Sequence, residues 1–220
     1  RDLHVQPVDL HPAVPLREAI DFGKHHPCVV WSQDTPTGQR CYLGGLLGDD
    51  IFLESFVPLV VQYRQEWFPD PMSLMQCCDP AGSHDNSQGT RKNGVDVLRE
   101  YGLSPRWVAN SNAPDVRRGA IERLAGLLRR RAAGAEAVVV SPSRWLVVGD
   151  NTIREENWFA NALEAGYVWD EHTRTSAGGK SIAVPLKDGY YEHGMNCAEY
   201  DEINFGGSHM TQEQIERHAE

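Results

Sequence analysis

The 220-residue sequence lacks any long hydrophobic run. Its most apolar stretches, AEAVVV over 135–140 and FVPLVV over 56–61, fall far short of the roughly 20 residues that a membrane helix needs, so no membrane partner is expected. A secretory signal is missing too: the chain opens RDLHVQPVDLHPAVPL, with neither a starting Met nor a basic-then-apolar order, and reads as an excised fragment. The five cysteines, Cys28, Cys41, Cys77, Cys78 and Cys197, are odd in number and show no CxxC spacing. That argues against a disulfide framework and a structural zinc site, and for a reducing cytoplasm. A zinc site on Cys77 and Cys78 would need ligands from adjacent residues, which point opposite ways along a strand. Buried free thiols are the simpler reading. No G-x-x-x-x-G-K-[ST] loop is present, so the chain by itself has no phosphate-cradling motor.

Positive charge is in deficit. Lys and Arg number 21 against 31 Asp and Glu, a formal net charge of −10, which is not the overall basic footprint of a nucleic-acid binder. The sum decides little, however, where carboxylates gather around divalent cations, because bound cations restore the attraction for phosphate. Hydrophobic content of 40% and charged content of 24% are ordinary for a globular protein, and the length suits one sizeable domain.

Residues 1–17, with Pro7, Pro12 and Pro15 and no helical period, read as a linker arriving from something upstream. Segments 18–23 (EAIDFG), 27–34 (PCVVWSQD) and 39–47 (QRCYLGGLL) are short apolar runs between turn residues, and predict three consecutive strands. Asp49 and Asp50 are placed to cap a helix over 51–67, which Pro58 should kink. Residues 73–78 read as a buried strand running into a sharp Asp-Pro-Ala-Gly turn, with Asp79 at its carboxyl end. A polar loop over 83–94, a helix over 94–101, a strand over 105–109, a helix over 114–131 and a strand over 137–140 follow. The helix 153–165 should stop at Gly166, YVW (167–169) and SIAV (181–184) should make a hairpin, and 193–205 should be the last helix. The tail 206–220 contains GSHM, which resembles a tag scar, and runs on into an acidic, helix-prone stretch. Three strands followed by alternating helices and strands signal a mixed sheet covered by helices.

In that order of elements two aspartates stand out. A site that clamps a phosphodiester between two divalent cations roughly 4 Å apart needs hard oxygen ligands converging from separate elements. In an RNase H-type site they come from the first strand, the strand after the first helix, and a late helix. Asp21 and Asp79 fall at the first two places; taken singly, each also reads as a turn or cap residue.

Several runs of residues resemble one family. AIDFGKHHPCVVW is similar to a strand ending in Asp-Phe-Gly, then a basic residue, then Pro before a second strand. CDPAG resembles a second acidic motif, and PLKDGYYEHGMNCAEY a third, in which a Lys precedes a His and an acidic residue opens a helix. ANSNAPDVRRGAIERLAGLL and ALEAGYVW resemble an intervening helix and a Gly-Tyr-Val-Trp hairpin. Together, over 18–205, they resemble the nuclease domain of the phage terminase large subunit.

The resemblance implies an RNase H-like α/β fold of the resolvase and integrase type, a mixed five-stranded sheet flanked by helices with an extra β-hairpin. It implies a Mg²⁺- or Mn²⁺-dependent endonuclease, with one or two ions, cutting concatemeric double-stranded DNA with little sequence preference in the host cytoplasm. Its partners would be DNA, a portal ring, a small terminase subunit and an upstream ATPase domain. The implied metal ligands are Asp21, Asp79, Asn196 and His193, and the implied catalytic set is Asp21, Asp79, Asn196, Glu199 and Lys187. One departure concerns the third corner, where the family carries an Asp and this sequence has Asn196, a neutral and weaker ligand. Glu199, one helical turn on, is the alternative third carboxylate. Asn196 and His193 also fit a plain helix N-terminal network, and Glu199 a solvated charge beside Asp201 and Glu202. Lys187 would orient water or neutralise developing charge.

Lys24, Arg91 and Lys92 are the candidate DNA contacts, because they lie near the strand ends where phosphates would arrive. Arg129, Arg130 and Arg131 read instead as a helix end that complements the dipole. Two other functions stay open: a catalytically weakened DNA- or portal-binding module, and a resolvase-like nuclease.

Overall fold

The computed structural model describes residues 2–83, 92–166, 174–175, 181–182 and 189–206. The elements are β1 (Leu16–Asp21), β2 (Cys28–Asp34), β3 (Arg40–Gly48), α1 (Leu53–Trp67), β4 (Leu74–Cys78), α2 (Gly94–Glu100), α3 (Pro114–Ala132), β5 (Val138–Val140), β6 (Trp145–Val148), β7 (Ile153–Glu155), α4 (Trp158–Asn161), β8 (Arg174–Thr175), β9 (Ser181–Ile182) and α5 (Tyr191–Phe205). The chain is thus an α/β protein with a mixed sheet flanked by helices, as the element order foretold. The sheet has seven strands rather than five, in the order β4-β1-β2-β3-β6-β7, with β5 also paired to β3. β8 and β9 form a separate hairpin.

β1 lies at the centre of the site's geometry. It pairs antiparallel with β2 and parallel with β4, so Asp21 closes β1 opposite Cys28 while Ile20 faces Cys78 of β4. All six of its residues are buried, because helices cover both faces of the sheet. Leu16 and Ile20 join Val29, Trp31, Phe56 and Val60 in one apolar layer with α1 and α2. Ala19 joins Cys28, Val30, Leu124, Cys197 and Ala198 in the other, with α3 and α5. Alternation along the strand therefore sends Asp21 to the side of Ala19, towards α5.

The buried charges of β1 are paired. Glu18, fully buried, accepts from Trp31 Nε1 at 2.8 Å and Gln76 Nε2 at 2.6 Å, and meets Arg64 of α1 at 3.1 Å. Arg17 meets Asp34 at 2.9 Å on the opposite face. Arg40, bound to Asp34, also contacts Asp201 at 3.0 Å and Glu202 at 3.2 Å. Two elements of the sheet are thereby locked to the carboxyl-terminal half of α5, and the amino-terminal half of that helix is left at the open end of β1.

Several local expectations are corrected. Asp49 and Asp50 do not cap α1: its N-cap is Phe52, without a side-chain bond. Asp49 pairs with Arg154 at 2.9 Å, and Asp50, at φ 53°, pairs with His25 at 3.0 Å. Pro58 sits inside the helix without ending it. Residues 105–109 form only a bridge between Arg106 and Cys77, since Pro105 has no N–H to donate. Residues 153–155, expected to be helical, pair with β6, and the helix starts at Trp158 under the Asn157 cap. The expected strand 167–169 lies outside the described residues, as does the tail beyond Gly206. Residues 4–6 lie against β5, with Gln6 N donating to Val140 O at 3.0 Å. Among the described residues no helix is long and apolar enough to cross a membrane.

Candidate active site

The open end of β1 and β4 gathers the chemistry. Asp79 N donates to Ile20 O at 3.3 Å, so the parallel pairing carries one residue past β4 and sets Asp79 beside the end of β1. There Pro80–Ser83 makes a tight 3₁₀ turn, and Asp79 Oδ1 accepts from Ala81 N at 2.8 Å. An Asp before Pro thus ends its strand and orients its own carboxylate at once. Asn112, from the loop before α3, donates to the same oxygen at 2.7 Å and accepts from the Tyr200 hydroxyl of α5 at 3.3 Å.

Asp21 is buried, and its Oδ2 is held from α5: His193 Nδ1 lies at 2.6 Å and Asn196 Nδ2 donates at 3.3 Å. The other face of Asn196 is turned to α3, where its Oδ1 accepts from Arg117 Nη2 at 2.6 Å. The Arg117 Nε in turn donates at 2.7 Å to Glu199, which is fully buried. A single row therefore runs Glu199, Arg117, Asn196, Asp21, His193, with donors and acceptors alternating along it.

Tyr200 reports on the field at this end. Burial pushes its phenol up from the ordinary value, the negative charges of Asp21 and Asp79 push it further, and Arg117 pulls it back. Both carboxylates therefore act on one phenol, with the Arg117 charge close enough to oppose them.

Three glycines make the close approaches possible. A β-carbon at Gly23 would fall 2.6 Å from His193 Cε1, and one at Gly82 would run into the Phe22 ring. Phe22, next to Asp21, is thus pressed against the turn that carries Asp79, and Gly94 closes on the same ring at the start of α2.

Of the residues expected from sequence, Asp21, Asn196 and His193 come together, with Asp79 alongside. Glu199 is on the same helix but faces Arg117. Lys24 is exposed just beyond Gly23, whereas Lys92, also exposed, is paired with Glu100 of α2. Arg91 and Lys187 lie outside the described residues. Asn112, Arg117, Tyr200 and His26 were not anticipated. His26 holds Gly48 O through Nδ1 at 2.9 Å, and its ring centroid is 6.2 Å from that of His193. Tyr200 had a readable signal, since it follows Asn196 by four positions and so shares its helix face. Asn112 and Arg117 had none.

Among the described residues, no group of three or more His, Cys, Asp or Glu side chains is arranged to hold a metal ion. The donor chemistry still fits one hard cation on two carboxylates, because Mg²⁺ is commonly held by one or two carboxylates and keeps several waters. Asp21 supplies an oxygen free of the His193 and Asn196 contacts. The carbonyl of Asn196 is occupied by Arg117.

No protein-family model matches the sequence, and no curated protein does. Solved structures do. The large terminase nuclease domain of bacteriophage SPP1, with bound Mn, is 14% identical, with 91% of this chain and 95% of that one covered and a TM-score of 0.51. The large terminase nuclease of thermophilic phage G20c is 12% identical, at 91% and 94% coverage and a TM-score of 0.52. The P22 large terminase nuclease domain is 12% identical, at 91% and 86% coverage and a TM-score of 0.58. The chain has the RNase H-like fold of the phage large-terminase nuclease domains, over nine-tenths of its length.

Proposed function

We propose that the chain is a divalent-metal-dependent endonuclease domain that cuts double-stranded DNA during phage genome packaging. The observation that carries this reading is the pairing of Asp21 and Asp79 at the ends of adjacent parallel strands, with the Oδ2 of Asp21 fastened by His193 and Asn196. The fold supports it, and its partners would be DNA, an upstream ATPase domain, a portal ring and a small terminase subunit.

Asp21 and Asp79 would hold Mg²⁺ or Mn²⁺, which when bound polarises a phosphodiester and makes water a better nucleophile. The remaining work falls to the chain's own groups. His193 and Asn196 fix the plane of the Asp21 carboxylate, and Asn112 with the Ala81 N–H fixes that of Asp79. Preorganised acceptors of this kind need no rearrangement when charge develops. Lys24 is exposed beside the site and offers a phosphate contact. Groups placed to meet phosphate position the duplex without reading its bases, so cleavage is expected to show little sequence preference.

Plasmid nicking in Mn²⁺, Mg²⁺ and EDTA tests the reading. Cutting should require the metal and disappear in Asp21→Asn with the circular dichroism unchanged. Full activity in EDTA or in a folded Asp21→Asn protein refutes it.

A further inference from the structure

The third corner of the site has a feature that the proposed function does not use. Asn196 lies between the Asp21 carboxylate and Arg117, and its amide orientation is dictated by these neighbours. Arg117 only donates hydrogen bonds, so it must meet the Asn196 carbonyl. The Asp21 carboxylate accepts, so it must meet the Asn196 amino group. The reverse orientation would set N–H against N–H and oxygen against oxygen. The side-chain oxygen that Asn196 could offer a cation therefore already faces a guanidinium, whose positive charge opposes a cation at the same atom.

Glu199, the other candidate for this corner, is also held by Arg117, and it is fully buried. Arg117 comes from α3, packs against α5, and its charge reaches the phenol of Tyr200 that Asp21 and Asp79 also face. A fixed positive charge thus stands between Asn196 and Glu199, where a mobile cation would be repelled.

We propose that the Arg117 guanidinium, clamped between Asn196 Oδ1 and Glu199, takes the place that a second divalent cation would fill, so that the cleft binds one cation on Asp21 and Asp79. This rests on the metal-dependent reading above. Arg117 is a positioning residue here: it acts on the site through Asn196 and through its charge.

The experiment counts Mn²⁺ per chain, by isothermal titration and by the electron paramagnetic resonance of the free ion, with no DNA present. The wild-type chain should bind one ion. Asn196→Asp should still bind one, because the new carboxylate pairs with Arg117 instead of opening a second site. Arg117→Gln, which removes the guanidinium charge from Glu199 and the Asn196 carbonyl, should bind two, and Arg117→Lys should return to one. Two ions in the wild type or in Asn196→Asp overturn the proposal while leaving the metal-dependent nuclease intact. One ion in folded Arg117→Gln also overturns it. No ion in the wild type defeats both readings. Should Arg117→Gln fail to fold, the counts in the wild type and Asn196→Asp decide.

Discussion

His193 Nδ1 and Asp21 Oδ2 lie 2.6 Å apart although 172 positions separate them in sequence. The contact depends on Gly23, two residues after Asp21. A β-carbon there would sit 2.8 Å from His193 Nδ1 and would also run into the His26 carbonyl, which cannot rotate away as a side chain can.

Gly23→Ala should therefore displace His193 from Asp21. The overpacking should cost roughly 1–3 kcal/mol in a urea titration. Misplacing the carboxylate should lower metal-supported nicking on the order of 100-fold. Wild-type nicking by Gly23→Ala would remove His193 from any part in holding Asp21.

Asn112 offers the matching test at Asp79. Its side chain bridges the Asp79 carboxylate and Tyr200, donating to Asp79 Oδ1 at 2.7 Å and accepting from the Tyr200 hydroxyl at 3.3 Å. Asn112→Ala should cost about 1 kcal/mol of stability, the usual net worth of such a bond. It should reduce cutting more than that modest loss implies, because Asp79 Oδ1 then loses the donor that ties it to the loop before α3. Equal activity at saturating Mn²⁺ would show that Asn112 does not orient Asp79.

Asp21 and Asp79 were legible in the sequence because their signals are local: an apolar run that stops at an Asp, and an Asp-Pro turn. His193 and Asn196 share one helical turn, so their grouping was legible too. Arg117 and Asn112 reach the site from a helix and a loop whose spacing to it is fixed by packing alone. In the same way, IREENWFANALEA reads as helix throughout, yet its first three residues pair with β6 because a tertiary edge was open to them. The run 105–109 is apolar enough for a strand, but Pro105 and the single bridge at Arg106 stop the ladder.

Arg40 tests how α5 is anchored. It is buried and contacts Asp34, Asp201 and Glu202, tying β2 and β3 to the helix that bears His193 and Asn196. Removing one partner of a buried ion network leaves uncompensated charge, and Arg40→Ala should cost about 3–5 kcal/mol. Arg154→Ala removes the half-exposed pair with Asp49 and should cost no more than about 1 kcal/mol. Comparable unfolding midpoints for the two variants would mean that the Arg40 network does not anchor the helix.

The buried thiols and phenols set the alkaline limit of the fold. Burial pushes Cys28, Cys77, Cys78 and Cys197 up from the ordinary thiol value of 9.0, and takes Cys41 up to about 12. Burial likewise raises the Tyr42 and Tyr200 phenols above 10.0. Each folded-state value lies above its unfolded one, so the unfolded chain loses these protons first as pH rises. The stabilisation is complete below about pH 9 and is lost progressively above it, by up to roughly 1.4 kcal/mol per pH unit for each thiol. Urea midpoints should therefore be level from pH 7 to 8 and fall steeply between pH 9 and 10.5. Cys41→Ala should make that fall shallower. In the native protein at pH 8 all five thiols should resist a thiol-specific disulfide reagent, since the thiolate is the reactive form and all five are buried. A flat profile to pH 10.5, or immediate labelling of the native chain, would contradict this account of the core.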